Sequence, residues 1–195
     1  TVIGGNQSID YLSMTMAAEG EDTVTWSNPR FVDSLINQLG LEGCNAAKLP
    51  ITKESLKEIA AEAEMGDYLD EEAHSFYRTV LGEVLWLAQT THPDIAVAAS
   101  LLSKRCAKPT PTCAKALKHL VRYLSGRRNH GLKFGPGDGT GLQVWCDSDH
   151  AGMHAIDGDK RSRMGILVLY NGLPVFWQSS WIKAVCLSSG EAEVY

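Results

Sequence analysis

Seven residues, Gly135-Pro-Gly-Asp-Gly-Thr-Gly141, most constrain how this chain can fold. Glycine at every second position weakens any helix or strand, and Pro136 withdraws a backbone donor. The segment reads as a linker and as the clearest internal boundary. Before it, apolar residues recur at helical spacing; after it, they alternate as in strands. A chain of 195 residues with 44% apolar content can fill one large and one small core around such a boundary.

On the N-terminal side, residues 9–16 alternate well enough for one strand, and Thr23–Trp26 is a second β-prone run, so the two suggest a hairpin. Asn28-Pro29 opens a helix, with Asn28 placed to cap it and Pro29 at its first position. Phe31, Val32, Leu35, Ile36 and Leu39 form its apolar stripe, and Asn45–Pro50 is a connector. Residues 54–72 carry eight acids. Like-charge pairs such as Glu54/Glu58 argue against a well-stabilised helix. An exposed helix and a contact for a basic surface stay open, but an acidic linker over 51–72 is the plainer reading. From Ala73 a strong stripe returns through Phe76, Val80, Val84 and Leu87. Thr91-His92-Pro93-Asp94 breaks it, a helix from about Ile95 to Lys104 follows, and Pro109–Thr112 breaks the pattern again. The next helix runs from about Cys113 to Leu124, with Thr110 or Thr112 as its cap.

Charge is unevenly spread. The net charge is -5, yet residues 95–137 hold no acid and nine of the 18 Lys and Arg residues. Lys115, Lys118, Arg122, Arg127 and Arg128 can line a phosphate backbone or form a solvated helix face. The five cysteines are odd in number and widely spaced, which favours free thiols in a reducing compartment. No histidine or cysteine cluster has zinc-ligand spacing, and no apolar run reaches membrane length.

Beyond the linker, Leu142–Cys146, Met164–Tyr170 and Val175–Gln178 read as strands, Ile182–Leu187 as a fourth or the continuation of the third, all antiparallel, with Asn171-Gly172 as a tight turn. Asp147 and Asp149 follow the first of them. Carboxylates at a strand end can hold Mg²⁺, which takes oxygen ligands and keeps several waters. The spelling alone is weak, because ordinary loops also contain Asp-x-Asp. Ser188 or Ser189 then caps a helix carrying Glu191 and Glu193, and acids favour that position for its free amides alone. At most one of these glutamates can share a metal with Asp147.

Taken together, the motifs resemble the reverse transcriptase and ribonuclease H region of Ty1/copia-type retrotransposon Gag-Pol polyproteins. Phe76 to Ile95 resembles the segment after the polymerase core, and Arg122-Tyr-Leu-Ser-Gly126 the end of the next helix. Cys146-Asp-Ser-Asp-His-Ala-Gly152 is similar to the opening strand of the ribonuclease H domain. Asp159-Lys-Arg-Ser-Arg-Met-Gly165, Trp177 and Leu187-Ser-Ser-Gly-Glu-Ala-Glu193 follow in the family's order, and Tyr11–Met14 to Cys44 resembles the polymerase end. The resemblance implies Asp147 as the first-strand metal ligand and catalytic residue, and Glu193, ahead of Glu191, as the helix ligand. Further acids of the set would follow Tyr195. Departures are His150 for tryptophan, Arg163 and Met164 for small hydroxylated residues, Gly190 for threonine or cysteine, Val194 for tyrosine and Ser13 for glycine.

The expected fold class is α+β: a helical connection region followed by an incomplete ribonuclease H-like mixed sheet. Residues 1–50 are expected to end the polymerase region, 51–72 to link, 73–134 to form the connection, 135–141 to link again and 142–195 to begin the ribonuclease H-like domain. Both chain ends read as cut. The resemblance implies a parent that copies RNA into DNA and cleaves RNA in RNA–DNA hybrids with Mg²⁺, the isolated fragment being inactive. Its partners would be a hybrid or other nucleic acid and the remainder of the polyprotein, with no membrane. Its place would be intracellular, cytoplasmic or nuclear, including virus-like particles. The alternative is a non-enzymatic nucleic-acid- or protein-binding remnant of a decayed or domesticated element.

Overall fold

A computed structural model describes residues 7–194. The outer limits of the first and last expected segments, and Tyr195 of the Glu193-Val-Tyr motif, lie outside them.

The first strand expected from the sequence is two. β1 (Ser8–Tyr11) and β2 (Met14–Ala18) pair antiparallel through a turn at Leu12-Ser13. Both turn residues are left-handed, with φ of 49° and 64°. That turn type suits the right-handed twist of a hairpin, although L side chains pay for it. The resemblance places glycine at position 13, where this backbone would cost least. β3 (Val24–Ser27) pairs with β2, and β4 (Gly131–Phe134) closes the sheet in the order β1-β2-β3-β4. A side chain at Gly131 would lie 2.0 Å from the Trp26 carbonyl oxygen, so only glycine permits this pairing. Residues 131–134 therefore complete the N-terminal sheet rather than continue a helical region.

α1 (Pro29–Gln38) begins without a side-chain cap from Asn28. That residue is buried, and in the orientation that satisfies its amide it donates to Ser13 O (2.6 Å) and Ser27 O (3.2 Å). The β-turn backbone outcompetes the helix end for it. The acidic stretch is not a linker over its length: α2 (Lys53–Met65) is a helix capped by Thr52 and stopped by left-handed Gly66. Ile59 and Ala60 are buried on it, and this tertiary packing outweighs the unfavourable charge spacing. Glu62 accepts from the Thr112 amide (2.8 Å) and hydroxyl (2.6 Å). α2 thus helps to cap α5 (Pro111–Ser125), whose own N-cap is Thr110. α3 (Glu71–Thr90), capped by Asp70, and α4 (Ala96–Ser103) complete the helical layer. Val32, Leu35, Val80, Leu81, Leu87, Ile95, Leu102, Leu120 and Leu124 fill one core between α1, α3, α4 and α5. Tyr77 enters it with its hydroxyl donating to Leu102 O (3.0 Å).

The Gly-rich segment is pinned, not free: Asp138 N donates to Asn171 O (2.9 Å) and Gly141 N to Asn171 Oδ1 (2.8 Å). β5 (Leu142–Ser148), β6 (Arg163–Tyr170) and β7 (Leu173–Trp181) then form a second sheet, joined at the Asn171-Gly172 turn. Among the described residues both sheets are antiparallel throughout, as the run of strands after the Gly-rich segment suggests. Ile182–Leu187 is a coil rather than a fourth strand. Ile182 and Cys186 instead turn their side chains into a small cluster with Ala192 and Met164. Short helices α6 (His154–Asp157) and α7 (Ser189–Ala192) flank the sheet. β7 packs against α4, and the Trp177 indole donates to Ala88 O of α3 (2.6 Å). The result is a mixed α+β fold in which the helical layer is inserted between β3 and β4 of the first antiparallel sheet and the second antiparallel sheet follows.

Candidate functional site

Asp147 is the penultimate residue of β5, exposed, and paired in register with Gly165. β5 is an edge strand. Alternation puts Asp147 on the face of Trp145, while Cys146 and Ser148 face the other way. Asp149 lies just past the strand and is committed locally. Its amide donates to Arg163 O (3.0 Å) and its Oδ1 accepts from Arg163 N (2.7 Å). Asp149 also crowds the loop it turns: a side chain at Gly152 would lie 2.4 Å from its Oδ2. Asp147 and Asp149 line one cavity of about 490 Å³ with Trp145, Arg163 and Trp177.

The two glutamates separate clearly. Ser188 Oγ accepts from Glu191 N (3.1 Å), and Glu191 Oε2 accepts from Leu187 N (2.7 Å). This is a reciprocal cap of the last helix, close to a capping box, and it occupies the Glu191 carboxylate. Glu193 caps the other end by its backbone and is exposed. It borders a cleft of about 210 Å³ with Asp147, Cys146, Met164 and Ala192. Asp147 and Glu193 both border this cleft, while the strand register sets the Asp147 side chain on the sheet face opposite Cys146 and Met164. Among the described residues, no group of three or more His, Cys, Asp or Glu is placed to hold a metal ion.

The five expected nucleic-acid contacts differ in their freedom. Lys115 and Lys118 are exposed on α5. Arg122 donates twice to Asn45 O (3.0 and 2.9 Å), fastening the connector that follows α1. Arg127 stacks 3.9 Å from the Tyr123 ring centre and lies 3.8 Å from Asp94. Arg128 pairs with Asp33 at 2.6 Å. Asp94 also accepts from Tyr123 (2.9 Å). Burial pushes the Asp94 carboxyl up, but His92 and the Tyr123 hydroxyl outweigh it and hold the group below its ordinary value.

A second charged cluster escaped the sequence reading. Lys104, at the end of α4, reaches Asp157 (2.6 Å) and Asp159 (2.6 Å), and Arg161 also pairs with Asp159 (2.8 Å). Arg161 holds the Asp159 carboxyl far below the usual range despite burial, with help from Lys104. Lys104, Arg161 and Arg163 all approach the Trp181 ring, at 4.7, 5.7 and 4.5 Å. The one sequence signal for this cluster was Arg163 itself, a large cation where the resembling family has a small residue.

Comparison with known proteins adds to this geometry. No family model and no solved structure matches the chain. Over 117 residues, 60% of this chain, it is 38% identical to the Retrovirus-related Pol polyprotein from transposon RE1 of Arabidopsis thaliana, of which it covers 8%. Over 117 residues it is also 36% identical to the Secreted RxLR effector protein 161 of Plasmopara viticola, of which it covers 80%. The chain belongs to one family with this effector and is homologous over 60% of its length to the retrotransposon Pol polyprotein. It shares 34% identity over 118 residues with the Putative transposon Ty5-1 protein of Saccharomyces cerevisiae, spanning 37% of its length. Apart from the effector, then, this Pol-related chain matches only a part of each of these relatives. Among the described residues, no helix is long and apolar enough to cross a membrane.

Proposed function

We propose that this Pol-related chain is a piece of an RNA-directed DNA polymerase with ribonuclease H, at the junction of its connection region and its nuclease domain. The reading rests above all on Asp147 and Glu193, distant in sequence, bordering one cleft. In it, Asp147 and Glu193 bind Mg²⁺ and are the catalytic carboxylates present. The ion would lower the pKa of a bound water and offset charge on the scissile phosphate. Asp149 fixes the loop beside Asp147 through the Arg163 backbone, and Glu191 fixes the helix that carries Glu193. Lys115 and Lys118, with Arg122, Arg127 and Arg128 behind them, would meet the backbone of an RNA–DNA hybrid through charge rather than base identity. The remainder of a polyprotein would be its other partner.

Two carboxylates do not make a full two-metal clamp, so the chain alone is expected to cleave no hybrid above background in Mg²⁺. The direct test is a Mg²⁺ titration followed by amide NMR shifts. Shifts at Asp147 and Glu193 should move together and vanish in both Asp147→Asn and Glu193→Gln. Shifts confined to other residues, or none, would sink the metal assignment. Hybrid cleavage that Asp147→Asn abolishes would instead show that the chain's own site is sufficient.

The RxLR effector relative favours a second reading, because this chain covers 80% of it. A unit of this size can therefore form most of a protein that is not named as a polymerase. On that reading the chain is a non-enzymatic nucleic-acid- or protein-binding remnant. Hybrid binding would weaken with salt and with Lys118→Ala, and survive Asp147→Asn unchanged with or without Mg²⁺.

A further inference from the structure

We propose that Arg163 is a built-in cation of the carboxylate site and keeps its affinity for divalent ions low. The inference rests on the Mg²⁺ reading of Asp147. It begins with register. Asp147 lies opposite Gly165 and therefore shares its sheet face; Arg163, two residues before Gly165, shares it too. Gly165 has no side chain to stand between them. Asp147, Asp149 and Arg163 accordingly line the same cavity of about 490 Å³.

The guanidinium is held in place without being neutralised. Its Nη1 donates to Ser179 Oγ (3.1 Å), and its centre lies 4.5 Å from the Trp181 ring centre. Nη2 is buried and has no hydrogen-bond partner among the described residues. The other nearby acids are already engaged: Asp157 with Lys104 and Arg105, Asp159 with Lys104 and Arg161. The charge of Arg163 is left facing Asp149, with Asp147 on the same sheet face and lining the same cavity. Burial draws the guanidinium pKa down and the Asp149 charge draws it back, which marks a coupling to Asp149. Because arginine keeps its proton in proteins, the charge is permanent. Nη2 has no solvent contact, so that nitrogen cannot grip a ligand. A divalent ion approaching Asp147 meets this like charge across the shared cavity and is repelled by it.

The experiment counts free Mn²⁺ by electron paramagnetic resonance against the full chain, with folding of each variant checked by thermal unfolding. Arg163→Met keeps a long apolar side chain for Trp181 and is the main variant; Arg163→Thr is the second. Each is expected to bind Mn²⁺ roughly tenfold more tightly than the unsubstituted chain, of the order that one nearby unit charge gives. Arg163→Lys, which keeps the charge, should not tighten binding. Adding Asp147→Asn should erase the gain. Equal or weaker binding in Arg163→Met, with binding still lost in Asp147→Asn, would overturn the role of Arg163 and leave the metal site standing. Tightening by Arg163→Lys as well would assign the effect to shape and overturn it too. No Asp147-dependent binding in any variant would remove the metal site, and this inference with it.

Discussion

The helical layer and the second sheet are built to different standards. In the helical layer, Val32, Leu35, Val80, Val84, Leu87, Leu120 and Leu124 have no exposure at all. In β5, Trp145 is 62% exposed and Val144 57%. The first region holds itself together by close packing. The second is held by its hydrogen-bonded ladder, by a four-residue cluster and by its attachments to the helices, chiefly Trp177 to Ala88 and Lys104 to Asp157 and Asp159. Stability is concentrated in one part and the candidate chemistry in the other.

That contrast can be broken by substitution. Leu87→Ala should be the most damaging, costing about 4 kcal/mol in urea unfolding, because a fully buried leucine leaves a cavity as well as lost transfer energy. Asp157→Ala should cost about 2 kcal/mol, by taking one of the two carboxylates from Lys104 and the 3.6 Å partner from Arg105; the Asp157 side chain is only 5% exposed. Its loss should raise hydrogen exchange in 142–194 more than in α3. Equal acceleration in both regions would mean that they unfold as one unit. Thr110→Ala removes the cap of α5 and should cost about 1 kcal/mol. Val144→Ala should stay within about 0.5 kcal/mol, as surface substitutions do. A large loss there would show that β5 is better packed than its exposure implies.

Acid offers a finer probe of the stronger region. Burial raises the Glu62 carboxyl, but the Thr112 hydroxyl and amide outweigh it and hold it below its ordinary value of 4.5. A group lowered in the folded state stabilises fully above its unfolded value, and loses that contribution as pH falls through the folded one. Glu62→Gln should therefore be less stable than the unsubstituted chain at pH 7, with the gap closing below pH 4.5. A gap independent of pH would mean that Glu62 acts by shape alone.

Local patterns were readable and long-range ones were not. The stripe of Val80, Val84 and Leu87 and the Asn171-Gly172 turn rest on near neighbours, so spacing alone announces them. The turn at Leu12-Ser13 carries no glycine, and nothing local betrays it. Residues 53–65 looked like a linker because Glu62 finds its partner, Thr112, only in the folded chain. Asp147 was legible as a strand-end acid, and Ser188 to Glu191 has the spelling of a cap. The environment of Arg163 was hidden, because a strand's register with its neighbours decides which side chains share its face.

β4 brings a last consequence, which concerns synthesis. Ser27 and Gly131 are register partners more than a hundred residues apart. At roughly 5–20 residues per second, β3 leaves the ribosome about 5–20 s before the strand that covers its edge. During that interval the nascent chain presents an unpaired β edge, a template for misassembly with neighbouring chains. The glycine that alone fits beside Trp26 therefore governs when that exposure ends.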